Sequence, residues 1–255
     1  MISQIGQLAK IDSLLAKLST TRFNALLPVN IDVLEKKDTQ KYLLQIGKKE
    51  VNTKSNLELE VGKKYWGMMK EEPKTHAVSL SKLLLKPKFL QHAKLSFIPE
   101  FTAEKLLQTL AKESPKSELK MQLLEHLAKT NTKEEFMTLS NMIAALNNDV
   151  FSMVLKHNEK STMFQFKKRK SKSKTSTNDG MIDFYAAFEH IGPVEGVVEV
   201  SGDIKRLVLY LYYEQSLEFL RNELSLLEFQ GQLYPKKGKI SPLYEPVSSL
   251  LDLKG

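Results

Sequence analysis

The spacing of apolar residues changes twice along this chain, and that change constrains the fold more than any other feature of the sequence. Apolar residues first recur in short runs typical of strands, and between about residues 79 and 148 they recur at intervals of three and four. The short runs then return. Intervals of three and four place side chains on one face of a helix, whereas short alternating runs suit strands. The sequence therefore predicts an α+β protein with its main helices between two β-rich parts.

The composition is that of a folded protein rather than a disordered one. The chain has 255 residues, of which 42% are hydrophobic and 27% are charged. It contains no cysteine, which excludes a disulfide scaffold, a thiolate metal site and cysteine catalysis and fits a cytoplasmic protein. This length allows one large domain or two to three small ones.

The punctuation of the chain divides it into five parts. The first eighteen residues have one apolar stripe, which predicts an amphipathic helix; Lys10 and Lys17 interrupt it, so it does not resemble a secretory signal. No apolar stretch approaches the length of a membrane span. The predicted parts are an amphipathic N-terminal helix (1–24), a small β-barrel-like unit or curled sheet (25–75), a helical bundle (76–148), a β-sheet with one packed helix (149–235) and a surface tail (236–255).

The central part is expected to be a three-helix bundle. Residues 79–85 are predicted to form a short helix that Pro87 ends. The bundle helices are expected at residues 104–112, from residue 116 onward, and at residues 133–146. Thr132 followed by Glu135 has the spacing of a capping box at the start of the last of these helices.

The C-terminal part is expected to be an antiparallel sheet with one helix packed on it. Its strands are predicted at residues 150–155, 162–168, 181–190, 194–200 and 206–212. A helix at residues 214–229 follows, and Gly231 stands where a left-handed helix end favours glycine.

None of the usual catalytic or ligand-binding motifs is present. The five histidines lie far apart, and no second histidine stands at metal-ligand spacing. Gly238 and Lys239 have neither the upstream glycine nor the following Ser or Thr of a phosphate-binding loop. No nucleophile elbow occurs either. We therefore expect a protein without enzymatic activity, cofactor or metal.

A basic run at residues 167–174 is the strongest charge feature of the sequence. Without the six Lys and Arg residues of this run, the net charge of +8 falls to +2, because 8 − 6 = 2. The run can be a solvated loop between two strands, a site for an acidic protein, or a salt-sensitive site for nucleic acid or an acidic membrane surface. Nucleic-acid binding through residues 167–174 is kept as the alternative function. The candidate residues are Lys167, Lys168, Arg169, Lys170, Lys172 and Lys174.

The order of motifs near the C-terminus resembles a known family. Residues 190–200 read His-Ile-Gly-Pro-Val-Glu-Gly-Val-Val-Glu-Val, and a Ser-Gly-Asp turn then precedes an apolar strand at residues 207–212. A helix with Phe-Leu-Arg-Asn-Glu-Leu at residues 219–224 and Gly-Gln-Leu at residues 231–233 follow. This order resembles the C-terminal domain of the FliK-like flagellar hook-length control proteins. The Tyr-Leu-Leu-Gln-Ile-Gly phrase that starts at Tyr42 is also similar to an upstream barrel of that family.

The resemblance implies a non-enzymatic role in flagellar assembly through protein–protein binding. Hook-length or export-switch control and an export co-chaperone role both remain open, because the long Pro/Gln/Ser-rich segment of a molecular ruler is missing. The implied partners are an export gate component or a FliS-type chaperone, and the implied location is the cytoplasm or export through the flagellar secretion apparatus.

The candidate contact residues lie on two strands and one helix of this stretch. The recognition surface is expected at the sheet edge beside residues 192–194, because proline cannot donate a hydrogen bond to a neighbouring strand. The candidates are Gly192, Pro193, Val194, Leu209, Leu211, Leu220, Arg221 and Leu224.

Overall fold

The protein is an α+β fold, as the sequence predicts. The computed structural model describes residues 27–55, 57–71, 78–92, 100–101, 108, 113–157, 160–169, 180–201, 204–224 and 230–245. These ranges contain twelve strands, arranged in two sheets, and four helices. No helix within them is long and apolar enough to cross a membrane.

The first sheet has five strands and forms the small β unit. They are β1 (Val29–Lys36), β2 (Lys41–Ile46), β3 (Lys49–Lys54), β4 (Lys64–Glu71) and β5 (Val78–Leu85). The order is β3-β2-β1-β4-β5, and all neighbours are antiparallel. Alternate residues of β1 and β2 point into a core of their own, which includes Ile31 and Leu44. The two outer strands are not hydrogen-bonded to each other in the described part, so the unit is an open sheet rather than a closed barrel.

The prediction of a short helix at residues 79–85 is wrong, because this segment is strand β5. The run Val-Ser-Leu-Ser-Lys-Leu-Leu-Leu suits either period, and pairing with β4 decides the outcome. The pairing contains a register shift opposite Trp66 and Met68, and Lys82 adopts a positive φ of 49°. Since β5 belongs to the first sheet, that sheet extends beyond the predicted boundary at residue 75.

The second sheet has seven strands, and each strand lies beside the next one in sequence, from β6 at one edge to β12 at the other. They are β6 (Glu100–Phe101), β7 (Phe151–His157), β8 (Lys160–Lys168), β9 (Gly180–Phe188), β10 (Gly192–Ser201), β11 (Ile204–Leu211) and β12 (Gln230–Pro235). Strands β7 to β11 form an antiparallel meander. The outermost pairs, β6–β7 and β11–β12, are parallel. The sheet is therefore mixed, whereas the sequence predicts a wholly antiparallel one.

The four helices of the described part are α1 (Lys88–His92), α2 (Pro115–Leu127), α3 (Lys133–Asn147) and α4 (Glu214–Leu224). Two of the three predicted bundle helices lie in the described part, as α2 and α3, and they form a hairpin. The helix predicted at residues 104–112 lies outside the described residues, apart from residue 108. The predicted N-cap of α3 is confirmed, because the Thr132 hydroxyl accepts the Glu135 N–H at 3.2 Å. The Glu135 carboxylate accepts the N–H of Asn131 at 3.2 Å, one residue before the cap, rather than that of Thr132 as in a capping box.

One large core joins the helical hairpin to both sheets. It contains Leu139 of α3 and Met153 of β7, together with Trp66 of the first sheet and Ile240 after β12. Ile240 is only 2% exposed, so the predicted surface tail is anchored in the core at this residue, whereas its neighbours Lys237, Gly238 and Lys239 are exposed. The predicted N-terminal helix and residues 246–255 lie outside the described residues.

The buried Gln165 side chain holds the backbone of this tail. Its Nε2 donates to the Tyr244 carbonyl at 3.0 Å, and its Oε1 accepts the Tyr244 N–H at 3.1 Å. Two hydrogen bonds therefore satisfy both ends of a buried amide and fix the tail against β8.

Candidate partner-binding site

Strands β10, β11 and β12 and helix α4 form one ββαβ unit. Strands β10 and β11 pair through eight residues, from Val194↔Leu211 to Ser201↔Ile204. Helix α4 then carries the chain back, so that β12 runs parallel to β11. Leu211 and Leu220 are buried between the sheet and the helix, in a core cluster of their own. The unit is held by apolar contacts between helix and sheet.

Gly192 lies where this unit meets the first sheet. Its φ is +83°, and a Cβ there would lie 2.6 Å from the ring of Tyr213, so both backbone and space require glycine. The buried Tyr213 hydroxyl donates to the Lys82 carbonyl of β5 at 3.1 Å. Ser216, at the start of α4, donates to the Ile191 carbonyl at 2.9 Å. Together these bonds fix the start of β10 and the start of α4 against β5.

Two further glycines of the unit, Gly196 and Gly231, permit close packing. Gly196 lies directly opposite Phe184, and a Cβ there would lie 2.6 Å from that ring and 2.5 Å from the Val208 carbonyl oxygen. Gly231 is a residue of β12 with no positive φ, so the prediction that it forms a left-handed helix end is wrong. Its missing side chain leaves room for Leu224 of α4, whose Cδ2 would lie 3.0 Å from a Cβ.

Most of the predicted contact residues are interior residues. The buried ones are Gly192, Pro193, Val194, Leu209, Leu211 and Leu220. Strand β10 also lies between β9 and β11, so the prediction of a sheet edge beside Pro193 is wrong. Arg221 is exposed and Leu224 is half-buried. These two are the predicted residues that a partner can reach without rearrangement.

The strand of this unit that forms an edge of the sheet is β12, whose residues are not among the predicted contact residues. Its residues are exposed except for the half-buried Leu233. Tyr234 is 43% exposed and stacks on Tyr210 of β11, with ring centroids 5.7 Å apart. Lys236, which follows the strand, forms an ion pair with Glu195 of β10. The Gly-x-Leu-x-Pro spacing after a helix was the available signal, but it does not reveal which strand is outermost.

The basic run begins on β8 and is described only in part. Lys167 and Lys168 are exposed. The Arg169 guanidinium binds the Asp183 carboxylate through its Nε and Nη2 atoms, each 2.7 Å from a carboxylate oxygen. This hydrogen bonding raises the pKa of Arg169. Lys170, Lys172 and Lys174 lie outside the described residues. Arg169 is thus engaged within the protein, which leaves two exposed lysines at the described end of the run.

A second polar cluster joins the two sheets around Trp66. The indole N–H donates to the Phe188 carbonyl at 2.9 Å. The Lys86 ammonium lies 5.1 Å from the centroid of the indole ring and donates to the Asn30 amide oxygen at 2.6 Å. Burial lowers the pKa of Lys86 to about 8, although the nearby carboxylates of Asp32 and Glu189 oppose this shift. The cluster packs the two sheets together.

A small cavity lies between the helical hairpin and β7. It is lined by apolar side chains, including Leu123, Met142 and Phe151, and by Ser152. Its volume of about 10 Å³ has room for at most one water molecule. The described ranges hold no cluster of three or more histidine or acidic residues that could bind a metal ion.

Of the predicted candidate residues in the described part, Arg221 and the start of the basic run, Lys167 to Arg169, are exposed, and the strand of the ββαβ unit that lies outermost in the sheet order is β12. Comparison of the chain with protein-family models, curated proteins and solved structures found no match.

Proposed function

We propose that this chain is a non-enzymatic protein of flagellar assembly that acts by binding other proteins. The observation that carries the proposal is the ββαβ unit, because the residues of the resembling stretch have definite steric roles there. Gly192 and Gly196 each stand where a side chain would collide with a neighbour, and Gly231 lies in tight contact with Leu224. A fold that depends on these positions supports the resemblance to the C-terminal domain of hook-length control proteins.

The exposed parts of this unit support a binding role. No described strand pairs with the outer side of β12, and Arg221 of α4 is exposed in the same unit. An export gate component or a FliS-type chaperone is the proposed partner, for hook-length or export-switch control or for an export co-chaperone role. The proposed location is the cytoplasm, with export through the flagellar apparatus as the alternative.

Deletion of the gene in a flagellated host tests this proposal. Electron microscopy of isolated flagella is expected to show abnormally long hooks if the protein controls length or the export switch. Hooks without filaments are expected if it acts as a co-chaperone. Re-expression of the wild-type chain should restore normal flagella, which controls for effects on neighbouring genes. Normal flagella and normal swimming in the deletion strain would contradict the proposal.

Nucleic-acid binding is the competing function, and the exposed Lys167 and Lys168 favour it. A variant with glutamine at all six basic positions of residues 167–174 separates the two. If this variant restores flagella in the deletion strain, the basic run is not needed for assembly. If the deletion strain has normal flagella, and wild-type protein but not the variant binds RNA or DNA with steep salt dependence, the competing function is favoured.

A further inference from the structure

Strand β12 has a backbone edge that no described strand occupies. The seven-stranded sheet ends at β12, and its register with β11 is regular from Arg206↔Gln230 to Leu211↔Pro235. An unpaired edge of this kind is a template on which another extended segment can pair.

The hydrogen bond just after the strand shows which backbone groups point outward. The Lys236 N–H donates to the Leu211 carbonyl at 2.8 Å, so the backbone N–H and C=O of residue 236 point toward β11. Because the direction of these groups alternates along a strand, the backbone N–H and C=O of Gln232 and Tyr234 also point toward β11. The N–H and C=O groups of Gly231 and Leu233 therefore point away from the sheet. Pro235 adds an outward carbonyl but has no N–H.

Apart from Pro235 at its end, this edge lacks the features that commonly block strand addition. None of its six residues is charged, and its pairing with β11 contains no bulge. The outer strands of the first sheet differ: β3 carries Lys49, Glu50 and Lys54, and β5 has a register shift. Strand β6, at the opposite end of the second sheet, has only two residues. Within the described part, β12 is therefore the outer strand best suited to accept another strand.

The charge beside the edge selects the chemistry of the added segment. Residues 230–244 contain Lys236, Lys237 and Lys239 and no acidic residue. Lys236 is paired with Glu195, whereas Lys237 and Lys239 are exposed and have no ion pair in the described part. Carboxylates at the end of a paired segment would lie beside these two lysines and speed its association.

We propose that the outer edge of β12 binds an extended acidic segment of a partner protein, which joins the second sheet as an additional strand. Main-chain hydrogen bonds to Gly231 and Leu233 supply affinity, and Lys237 and Lys239 select the acidic end. This inference rests on the proposed function in that it names the chemistry of a protein partner, but it is tested with purified protein.

The probe is a fluorescein-labelled peptide of alternating valine and threonine with a pair of aspartates at each end. We expect the full-length chain to bind it with a dissociation constant of roughly 1–100 µM, since one added strand buries little surface. The same peptide with lysines in place of the aspartates is expected to bind at least about tenfold more weakly. Equal affinity for both peptides, or no binding of the acidic one, would overturn the inference.

Two pairs of variants separate the charge from the backbone. Lys237→Glu with Lys239→Glu should weaken binding at least about tenfold, whereas Lys48→Glu with Lys49→Glu, an equal charge change at the distant β2–β3 turn, should change it less than about twofold. Leu233→Pro removes one outward N–H and should abolish binding, while Leu233→Ala keeps that N–H and should bind within about threefold of wild type. Loss of binding in both alanine and proline variants, or in both charge variants, would contradict the proposed site.

Amide hydrogen exchange gives a readout that does not depend on variants. In the free protein the amides of Gly231 and Leu233 should exchange fast, and saturating acidic peptide should protect them. If they are protected without peptide and the chain dimerises with concentration, a second copy occupies the edge and the inference is wrong. Failure of peptide binding with a clear hook defect in the deletion strain would reject this inference alone. Peptide binding with normal flagella would reject only the flagellar role.

Discussion

The two sheets bury their apolar faces in different ways. The buried core residues of the five-stranded sheet lie between Val29 and Tyr65, and the half-buried residues packed against them, up to Leu83, also belong to that sheet. The core of the seven-stranded sheet also needs remote parts of the chain, from Trp66 of the first sheet to Ile240 of the tail. The difference shows that alternation along neighbouring strands specifies the first core, whereas the second depends on contacts between residues far apart in sequence.

The hydrogen bonds follow the same division. In the first sheet the Tyr42 hydroxyl accepts the Leu59 N–H at 3.3 Å, and the Tyr65 hydroxyl accepts the Glu60 N–H at 3.2 Å. The second sheet is instead tied by bonds that span 79 residues at Gln165 and 122 residues at Trp66. Closing loops of this length costs entropy before the contacts form, so the second sheet is expected to form later in folding.

The largest test of this comparison is Trp66→Ala. The indole is 1% exposed and joins the two sheets, so its loss should lower the free energy of unfolding by about 3–5 kcal/mol. Urea denaturation followed by far-UV circular dichroism measures the loss. Trp66→Phe is the control, because it keeps much of the packing and loses the bond to Phe188. A loss below about 1 kcal/mol in the alanine variant would show that the sheets are not coupled through this residue.

A smaller effect is expected from Gly196→Ala in the second sheet. The new methyl group would meet the Val208 carbonyl, which is backbone and cannot move aside, so a loss of about 2–3 kcal/mol is expected. Gly47→Ala in the first sheet is the matched control: its φ is +62° but no atom lies within 4 Å of the new Cβ. The control should lose only about 1 kcal/mol from backbone strain. Equal losses in thermal or urea denaturation would refute a packing role for Gly196.

The smallest effect concerns Lys86, between the sheets. Because its pKa is about 8 in the folded protein and 10.5 as the ordinary value, the unfolded chain binds more protons between these pH values. The contribution of Lys86 to stability therefore rises as pH increases through this window, by on the order of 1 kcal/mol for this half-buried group. Lys86→Met should remove that rise.

Urea denaturation at several pH values between 7 and about 10.5 measures this dependence as the difference between wild type and variant. Lys88→Met changes an exposed lysine two residues away and serves as the control. A wild-type curve parallel to that of Lys86→Met would contradict the assigned burial of this ammonium group.

The sequence was most informative where structure is local. The hairpin of β7 and β8, the strands β9 to β11 and the N-cap at Thr132 follow from alternation or from fixed short spacing. The segment of β5 was predicted to be a helix because its apolar residues suit both periods, and only its partner β4 distinguishes them. The parallel return of β12 and the burial of Ile240 are tertiary outcomes that no local spacing encodes.

The candidate site shows the same limit. The resemblance directed attention to residues such as Leu211 and Leu220, which build the fold and are buried for that reason. Whether a strand is central or outermost depends on the strand order, so β10 could not be distinguished from an edge by the presence of Pro193. The basic run was evident from sequence, but the engagement of Arg169 by Asp183 depends on pairing of β8 with β9.

The Gln165–Tyr244 contact has a consequence for how this protein can vary. The glutamine amide recognises only main-chain atoms of residue 244, so nearly any amino acid there can be held equally well. Proline is the exception, since it lacks the N–H that the glutamine oxygen accepts. Glutamate in place of the glutamine would set a carboxylate oxygen against the Tyr244 carbonyl and repel it. Tolerance to mutation is therefore asymmetric across this contact: residue 244 can vary, while position 165 has almost no substitute.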